Sequence, residues 1–287
     1  MKRLAILAFS VLALLGFVRP LAAQTKLFMF ESKVTQFFGQ HVAAGGDVNA
    51  DGYPDLAVGG FAKVGSAFNV WLYSGRDGTL IRAFPALPDP LLLSRVSSLA
   101  FAGDVNKDGH ADLIVGTTRD VKNGHNSGAF KVYSGKDGKQ LYVFHGSKAH
   151  VLLGWSVNGA GDVNADGFDD FIASAIGPYP TGFVRVYSGK DGTVLHDISM
   201  QRGNNFLSPR TVCPAGDVDK DGFPDFVIGY QQKRFAEVYS GKTGKILHTL
   251  WQPLGVCVAG AMRNLVSDST ARTAGCNDDL ESSLFRI

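Results

Sequence analysis

Past the first two dozen residues, apolar side chains come in short runs of roughly four to seven. The runs are rich in Val, Ile and Phe and are bounded by Gly, Asp, Asn or Pro. No 3.6-residue period extends far enough for helices, so the pattern predicts strands. One copy shows the unit clearly. Strands are expected at residues 155–160, 171–175, 183–187 and 193–198. Between the last two lies Tyr187-Ser188-Gly189-Lys190-Asp191-Gly192, and the same turn recurs at residues 73–78, 133–138 and 239–244. Asp-Gly between strand-like runs predicts a tight hairpin, because both residues tolerate positive φ. The tyrosines that open these turns are expected to pack in the core or at its rim.

Between the first and second strands an acidic stretch repeats. It reads GDVNADGYPDLAVGG at residues 46–60, GDVNKDGHADLIVGT at 103–117, GDVNADGFDDFIASA at 161–175 and GDVDKDGFPDFVIGY at 216–230. The first acids, Asp47, Asp104, Asp162 and Asp217, are 57, 58 and 55 residues apart. A fixed period of this size marks a repeat architecture. A four-stranded antiparallel meander cannot bury both faces alone, and its repetition predicts blades stacked around an axis. The expected fold class is therefore all-β, a β-propeller with four clear repeats plus a degenerate fifth or a truncated ring. Residues 24–250 form the repeats and residues 251–287 a degenerate blade or tail. The KLFMF run at 26–30 matches the outer-strand segments at 140–144 and 245–250. Residues 255–262 match 211–218, an inner strand. Either the two ends together complete a ring, or the chain is part of a larger propeller.

The acidic loop carries the candidate chemistry. With the first acid as position one, positions one, three, five and nine bear side-chain oxygens. They are Asp47, Asn49, Asp51 and Asp55; Asp104, Asn106, Asp108 and Asp112; Asp162, Asn164, Asp166 and Asp170; and Asp217, Asp219, Asp221 and Asp225. Position six is always Gly. Position seven, Tyr53, His110, Phe168 or Phe223, can add a backbone carbonyl. Calcium takes six to eight oxygens, and a glycine allows the sharp turn around it. About four Ca2+ sites are expected. The alternative is a set of metal-free Asp/Asn turns capping strands. The loop is no EF-hand, since position twelve is Val58, Val115, Ala173 or Ile228 rather than Glu. The fifth copy has Ala261, Arg263 and Leu265 where ligands would fall, so no ion is expected there.

Composition sharpens this. Positions one, three, five and nine of the four loops hold 13 of the 26 acids, leaving the rest of the chain basic. Residues 1–23 read as a signal peptide, with Lys2 and Arg3 before an apolar stretch and small residues at Ala22-Ala23. A secreted or cell-surface location is expected, without a transmembrane span once the leader is removed. Loss of Lys2, Arg3 and Arg19 with it would take the net charge from +2 to −1. Cys213, Cys257 and Cys276 make no disulfide framework or zinc motif. Cys213 and Cys257 each lie four residues before position one of their units, and spacing leaves open whether they bond. The seven histidines do not recur with Asp and Ser partners, and no hydrolase, zincin or P-loop motif is present, so no enzyme activity is expected. His196 and His248 read as surface strand residues.

The GDVNxDGxxD loop followed by an apolar strand, spaced by one four-stranded unit, resembles the FG-GAP repeats of integrin alpha-subunit propellers and their secreted bacterial relatives. The resemblance covers roughly residues 26–250. It implies calcium between the first and second strands of each blade, on the face opposite the usual ligand surface. The pattern is eroded in places. The FG element is intact at Phe38-Gly39 but reads Leu153-Gly154 in the third copy, and Gly59-Gly60-Phe61 stands where GAP is expected. Such propellers have seven blades, and four are clear here. The resemblance implies a recognition or adhesion module for a protein or polysaccharide ligand on the loop face opposite the calcium loops, with no nucleic acid partner. Phe61, Arg119, Tyr179, Phe206 and Arg234 lie on that face. The alternative is a calcium-dependent carbohydrate-active enzyme or lectin. Arg76, Lys136, Lys190 and Lys242 recur in phase on the hairpin turns and are expected at the calcium-side rim.

Overall fold

The computed structural model describes residues 28–30, 35–62, 68–85, 96–177, 182–202, 205–230 and 235–251. The short apolar runs are strands, gathered into four antiparallel sheets of four. The first sheet is β1 (Thr35–Gly46), β2 (Asp55–Ala62), β3 (Phe68–Tyr73) and β4 (Leu80–Pro85). The second is β5 (Ser98–Gly103), β6 (Asp112–Thr117), β7 (Ala129–Tyr133) and β8 (Gln140–His145). The third is β9 (Leu153–Gly161), β10 (Asp170–Ala175), β11 (Phe183–Tyr187) and β12 (Val194–Ser199). A small hairpin, β13 (Gln201–Arg202) and β14 (Asn205–Phe206), precedes the fourth sheet of β15 (Pro209–Gly216), β16 (Asp225–Tyr230), β17 (Phe235–Tyr239) and β18 (Ile246–Trp251). Each sheet is a meander whose strand order follows the chain, the form of a propeller blade. Among the described residues there is no helix, and so none long and apolar enough to cross a membrane.

Stacking explains the burial pattern. Strands β6, β10 and β16 are buried at every position, and the sheets of β6 and β10 have a neighbouring blade on both faces. The outer strands β8, β12 and β18 alternate toward solvent. Three apolar layers lie between successive blades. Val70, Leu72 and Phe84 meet Leu113 and Val115. Phe130 and Val132 meet Phe171 and Tyr187. Ile172 and Val184 meet Phe226 and Tyr239. Full burial of each such side chain contributes about 1.5–3 kcal/mol, so these layers hold the blades together. A fourth apolar cluster, Cys213, Ala215, Val227, Ala236 and Val238, lies on the other face of the last sheet. The turn tyrosines Tyr133, Tyr187 and Tyr239 are buried and Tyr73 half-buried, as expected.

The hairpin turns differ from the expected tight Asp-Gly form. Only the glycines Gly78, Gly138, Gly192 and Gly244 take positive φ; the residues before them do not. In the first turn Ser74 donates to the Thr79 carbonyl (2.8 Å) and Gly78 to that of Ser74 (2.9 Å), closing a wider loop. The Asp77 carboxylate accepts from the Thr79 N–H (3.0 Å) and hydroxyl (2.7 Å). The aspartate thus caps the loop with its side chain instead of entering the left-handed region.

The first glycine of each turn is fixed by space. A Cβ on Gly75, Gly135, Gly189 or Gly241 would overlap the backbone carbonyl of Pro54, Ala111, Asp169 or Pro224 in the acidic loop. Replacing Gly135 with Ala should cost roughly 1–3 kcal/mol, read as a lower urea midpoint with an unchanged slope. An unaltered midpoint would show that the turn can move off the loop.

Of the expected outer strand at 26–30, residues 28–30 are not in a strand, and Lys26 and Leu27 lie outside the described residues. So do the leader, Cys257, Cys276 and the fifth inner strand at 255–262, and with them any closure through the two ends.

Candidate metal centre

Each acidic loop joins the first strand of a blade to the second and folds by one set of bonds. The position-one carboxylate accepts the N–H of position five on one oxygen and that of the position-six glycine on the other. For Asp47 these are 3.1 and 2.8 Å, for Asp104 2.9 and 2.8 Å, for Asp162 3.0 and 2.8 Å, and for Asp217 3.0 and 3.0 Å. The position-three oxygen of Asn49, Asn106, Asn164 or Asp219 accepts the same position-five N–H at 3.0–3.2 Å. The position-five carboxylate accepts the position-seven N–H of Tyr53, His110, Phe168 or Phe223 at 2.9–3.1 Å. Alternate oxygens are thereby drawn onto one short arc of backbone.

The position-six glycines have φ of 84–91°, as expected of a sharp turn. The residue at position four is also left-handed, although it is never Gly: Ala50, Lys107, Ala165 and Lys220 have φ of 57–60°. Sequence reasoning missed this, because Ala and Lys carry no left-handed signal. The conformation costs on the order of 1 kcal/mol and is held by the carboxylate bonds to the next two N–H groups.

Position nine has a role that spacing did not reveal. Asp55, Asp112, Asp170 and Asp225 are fully buried. One oxygen of each accepts the N–H of position two, Val48, Val105, Val163 or Val218, at 2.7–2.9 Å. The other accepts the N–H of the turn glycine, Gly75, Gly135, Gly189 or Gly241, at 2.9–3.0 Å. The carboxylate pins the loop to the hairpin of its own blade, and each oxygen keeps a second lone pair. Burial pushes Asp112 up to about 7 and Asp170 up to about 6, against the pull of those N–H groups. Asp55 and Asp225 are raised for the same reason, and acids at other loop positions push all four the same way. A bound cation would oppose both the burial and the repulsion.

The donors suit a hard cation, being all oxygen. In the fourth loop Asp217, Asp219 and Asp225 each offer an oxygen within 4.8 Å of the others, a group that could hold a metal ion. In the first three loops the position-three amide donates instead to the position-five carboxylate, at 3.0–3.3 Å, and leaves its carbonyl oxygen in the acceptor set.

Position seven has side-chain chemistry that was not anticipated. Arg76 lies over the Tyr53 ring (5.5 Å), Lys190 over Phe168 (5.8 Å) and Lys242 over Phe223 (4.6 Å). The hairpin cations therefore reach the rim as expected, three of them resting on aromatic rings. Lys242 Nζ is 3.8 Å from Asp221, and Lys136 Nζ is 3.5 Å from the Asp108 carbonyl. In the second loop the His110 ring Nδ1 instead bonds the Val48 carbonyl at 2.9 Å, across to the preceding blade. Loops are also joined through position eight. Ala111 N–H donates to the Asp47 carbonyl (2.9 Å) and Asp169 N–H to that of Asp104 (3.3 Å). The Asp169 carboxylate, raised by burial, accepts the Asp104 N–H at 2.7 Å. Pro224 has no N–H with which to repeat this.

His196 is half-buried rather than on the surface. Its Nε2 bonds the Gly241 carbonyl of the next blade, because the outer edge of β12 packs against that turn. His248 is exposed, as expected. Cys213 is a free thiol, pushed up to about 11 by burial. Of the residues expected on the opposite loop face, only the side chain of Arg119 falls among those described, and it is exposed.

Residues 47–115 match the FG-GAP-like repeat family. The chain is 24% identical to chicken integrin alpha-V over 212 residues, which is 67% of this chain and 20% of that protein. Human integrin alpha-6 is 29% identical over 133 residues, covering 44% and 12% respectively. Xenopus laevis integrin alpha-5 is 26% identical over 164 residues, covering 50% and 15%. The chain thus spans a fifth or less of the length of these relatives.

Proposed function

Because the chain belongs to the FG-GAP repeat family, with integrin alpha subunits among its relatives, we propose that it is an extracellular calcium-binding propeller that recognises a protein or glycan. The observation that carries this is the identical folding of four loops, in which the oxygens of positions one, three and five accept loop N–H groups and the position-nine carboxylate ties each loop to its blade; in the fourth loop Asp217, Asp219 and Asp225 bring their oxygens within 4.8 Å of one another. The ligands are the sixteen side chains named at those positions, joined by the carbonyls of Tyr53, His110, Phe168 and Phe223. The ion holds the scaffold: it neutralises crowded carboxylates and binds each loop to its blade. Recognition belongs to the loops on the opposite face, as in modules where a rigid scaffold presents variable loops. The leader takes the chain to a compartment outside the cytoplasm, where calcium near 1 mM fills sites of only moderate affinity. No catalytic step is assigned.

The test is calcium content by atomic emission after equilibrium dialysis, followed by screening the loaded protein on arrays of extracellular proteins and glycans. Close to four ions per chain and a saturable ligand are expected. Four ions with no ligand at any salt concentration would leave a stabilised scaffold and remove recognition. No calcium would remove the metal sites.

A further inference from the structure

Between the inner strands β1, β5, β9 and β15 lies a cavity of about 880 Å3 with walls from all four blades. The volume is within the range of small-molecule sites, about 300–1,000 Å3. Arg119 and Arg210 line it, and among the described residues no acidic one does. Among the described residues, no carboxylate lies within ion-pair distance of either arginine. Asp120, next to Arg119, is engaged with His145 at 3.1 Å. The Arg210 guanidinium lies over the Trp155 ring, 4.8 Å from its centroid, and its buried Nε has no hydrogen-bond partner. Stacking fixes the plane of the fork and leaves its other donors to a planar oxyanion. Gln40, Asn126 and Thr211 add amide and hydroxyl groups to the same walls.

We propose that this cavity binds a carboxylate-bearing saccharide, with Arg119 and Arg210 on the carboxylate and the amide and hydroxyl groups on the ring hydroxyls. Two uncompensated positive charges in a partly enclosed space call for an anion. Amides and hydroxyls, which both donate and accept, suit a polyhydroxylated ring better than an apolar acid. The site rests on the recognition reading for its biological role only. It differs from the metal loops, where the acids are gathered.

Calorimetric titration of the calcium-saturated mature protein with trigalacturonate should show binding, and neutral galactotriose should give none. Arg119→Gln and Arg210→Gln should each weaken binding about tenfold or more. Both should retain the parental melting temperature, since Arg119 is exposed and Arg210 only half-buried. Lys136→Gln, on the calcium-side rim, should bind as the parent does. Equal binding of the neutral sugar, equal loss in Lys136→Gln, or no binding at low salt would each overturn the site. An aspartate-rich peptide that competes at the same arginines with equal affinity would overturn the saccharide assignment. A chain that ignores trigalacturonate yet captures another ligand on the arrays loses this cavity and keeps the recognition reading.

Discussion

Addition of EDTA to the calcium-saturated protein is expected to lower its melting temperature by roughly 10–20 °C. At about 1 mM calcium and a Kd of about 10⁻⁴ M, each loop adds on the order of 1.4 kcal/mol. Four loops then add roughly 6 kcal/mol, comparable with the whole stability of an ordinary domain. Part of that contribution is relief of the repulsion among the acids of each loop, which is on the order of several kcal/mol per close pair at an effective dielectric near 20. The cations already present do little against this. Lys242 is half-exposed and 3.8 Å from Asp221, a surface pair worth about 0–1 kcal/mol. The measurement is a thermal scan with calcium, with EDTA, and with calcium restored. A melting point indifferent to EDTA would sink the calcium assignment and leave four Asx-rich caps.

Asp112→Ala is expected to be the most damaging single change, at roughly 2–5 kcal/mol even without calcium. It leaves the Val105 and Gly135 N–H groups buried without acceptors and unpins the loop from its hairpin. Asp108→Ala, one turn away and only part-buried, should cost under about 1 kcal/mol in calcium-free buffer. Both should forfeit the contribution of one ion when calcium is present. Asp112→Asn should fall between them, because its amide has one carbonyl oxygen for two N–H groups. Urea unfolding of the three variants with and without calcium separates the two roles. Equal losses for Asp108→Ala and Asp112→Ala in EDTA would make Asp112 a plain ligand with no structural part.

Much of this is legible in a linear chain because the information is local. Strand type follows from run length and turn residues. The third-blade strands lie within two residues of their expected ends. The alternate oxygens of Asp47, Asn49 and Asp51 are close in sequence, and the glycine after them fixes the turn that brings them together. What escaped was contact between distant segments. Asp55 and its equivalents look like one more ligand, at position nine, but their bond to a turn glycine some twenty residues later has no linear signal. The aromatic residues at position seven looked unrelated to the hairpin cations until the blade laid one over the other. Asp169, at position eight of the third loop, drew no expectation from the sequence, because its partner, the Asp104 N–H, belongs to the preceding blade.

The sequence by itself determined the period, the strands, the four oxygen-bearing loops and the phase of the basic turns, because each is a matter of spacing within one unit. Only the tertiary structure decided that the position-nine aspartate is buried and bonded through both oxygens, and that Arg119 and Arg210 share a cavity lined by no acid among the described residues. Both follow from stacking, in which residues about 55–60 positions apart become neighbours and the walls of a shared space come from every blade.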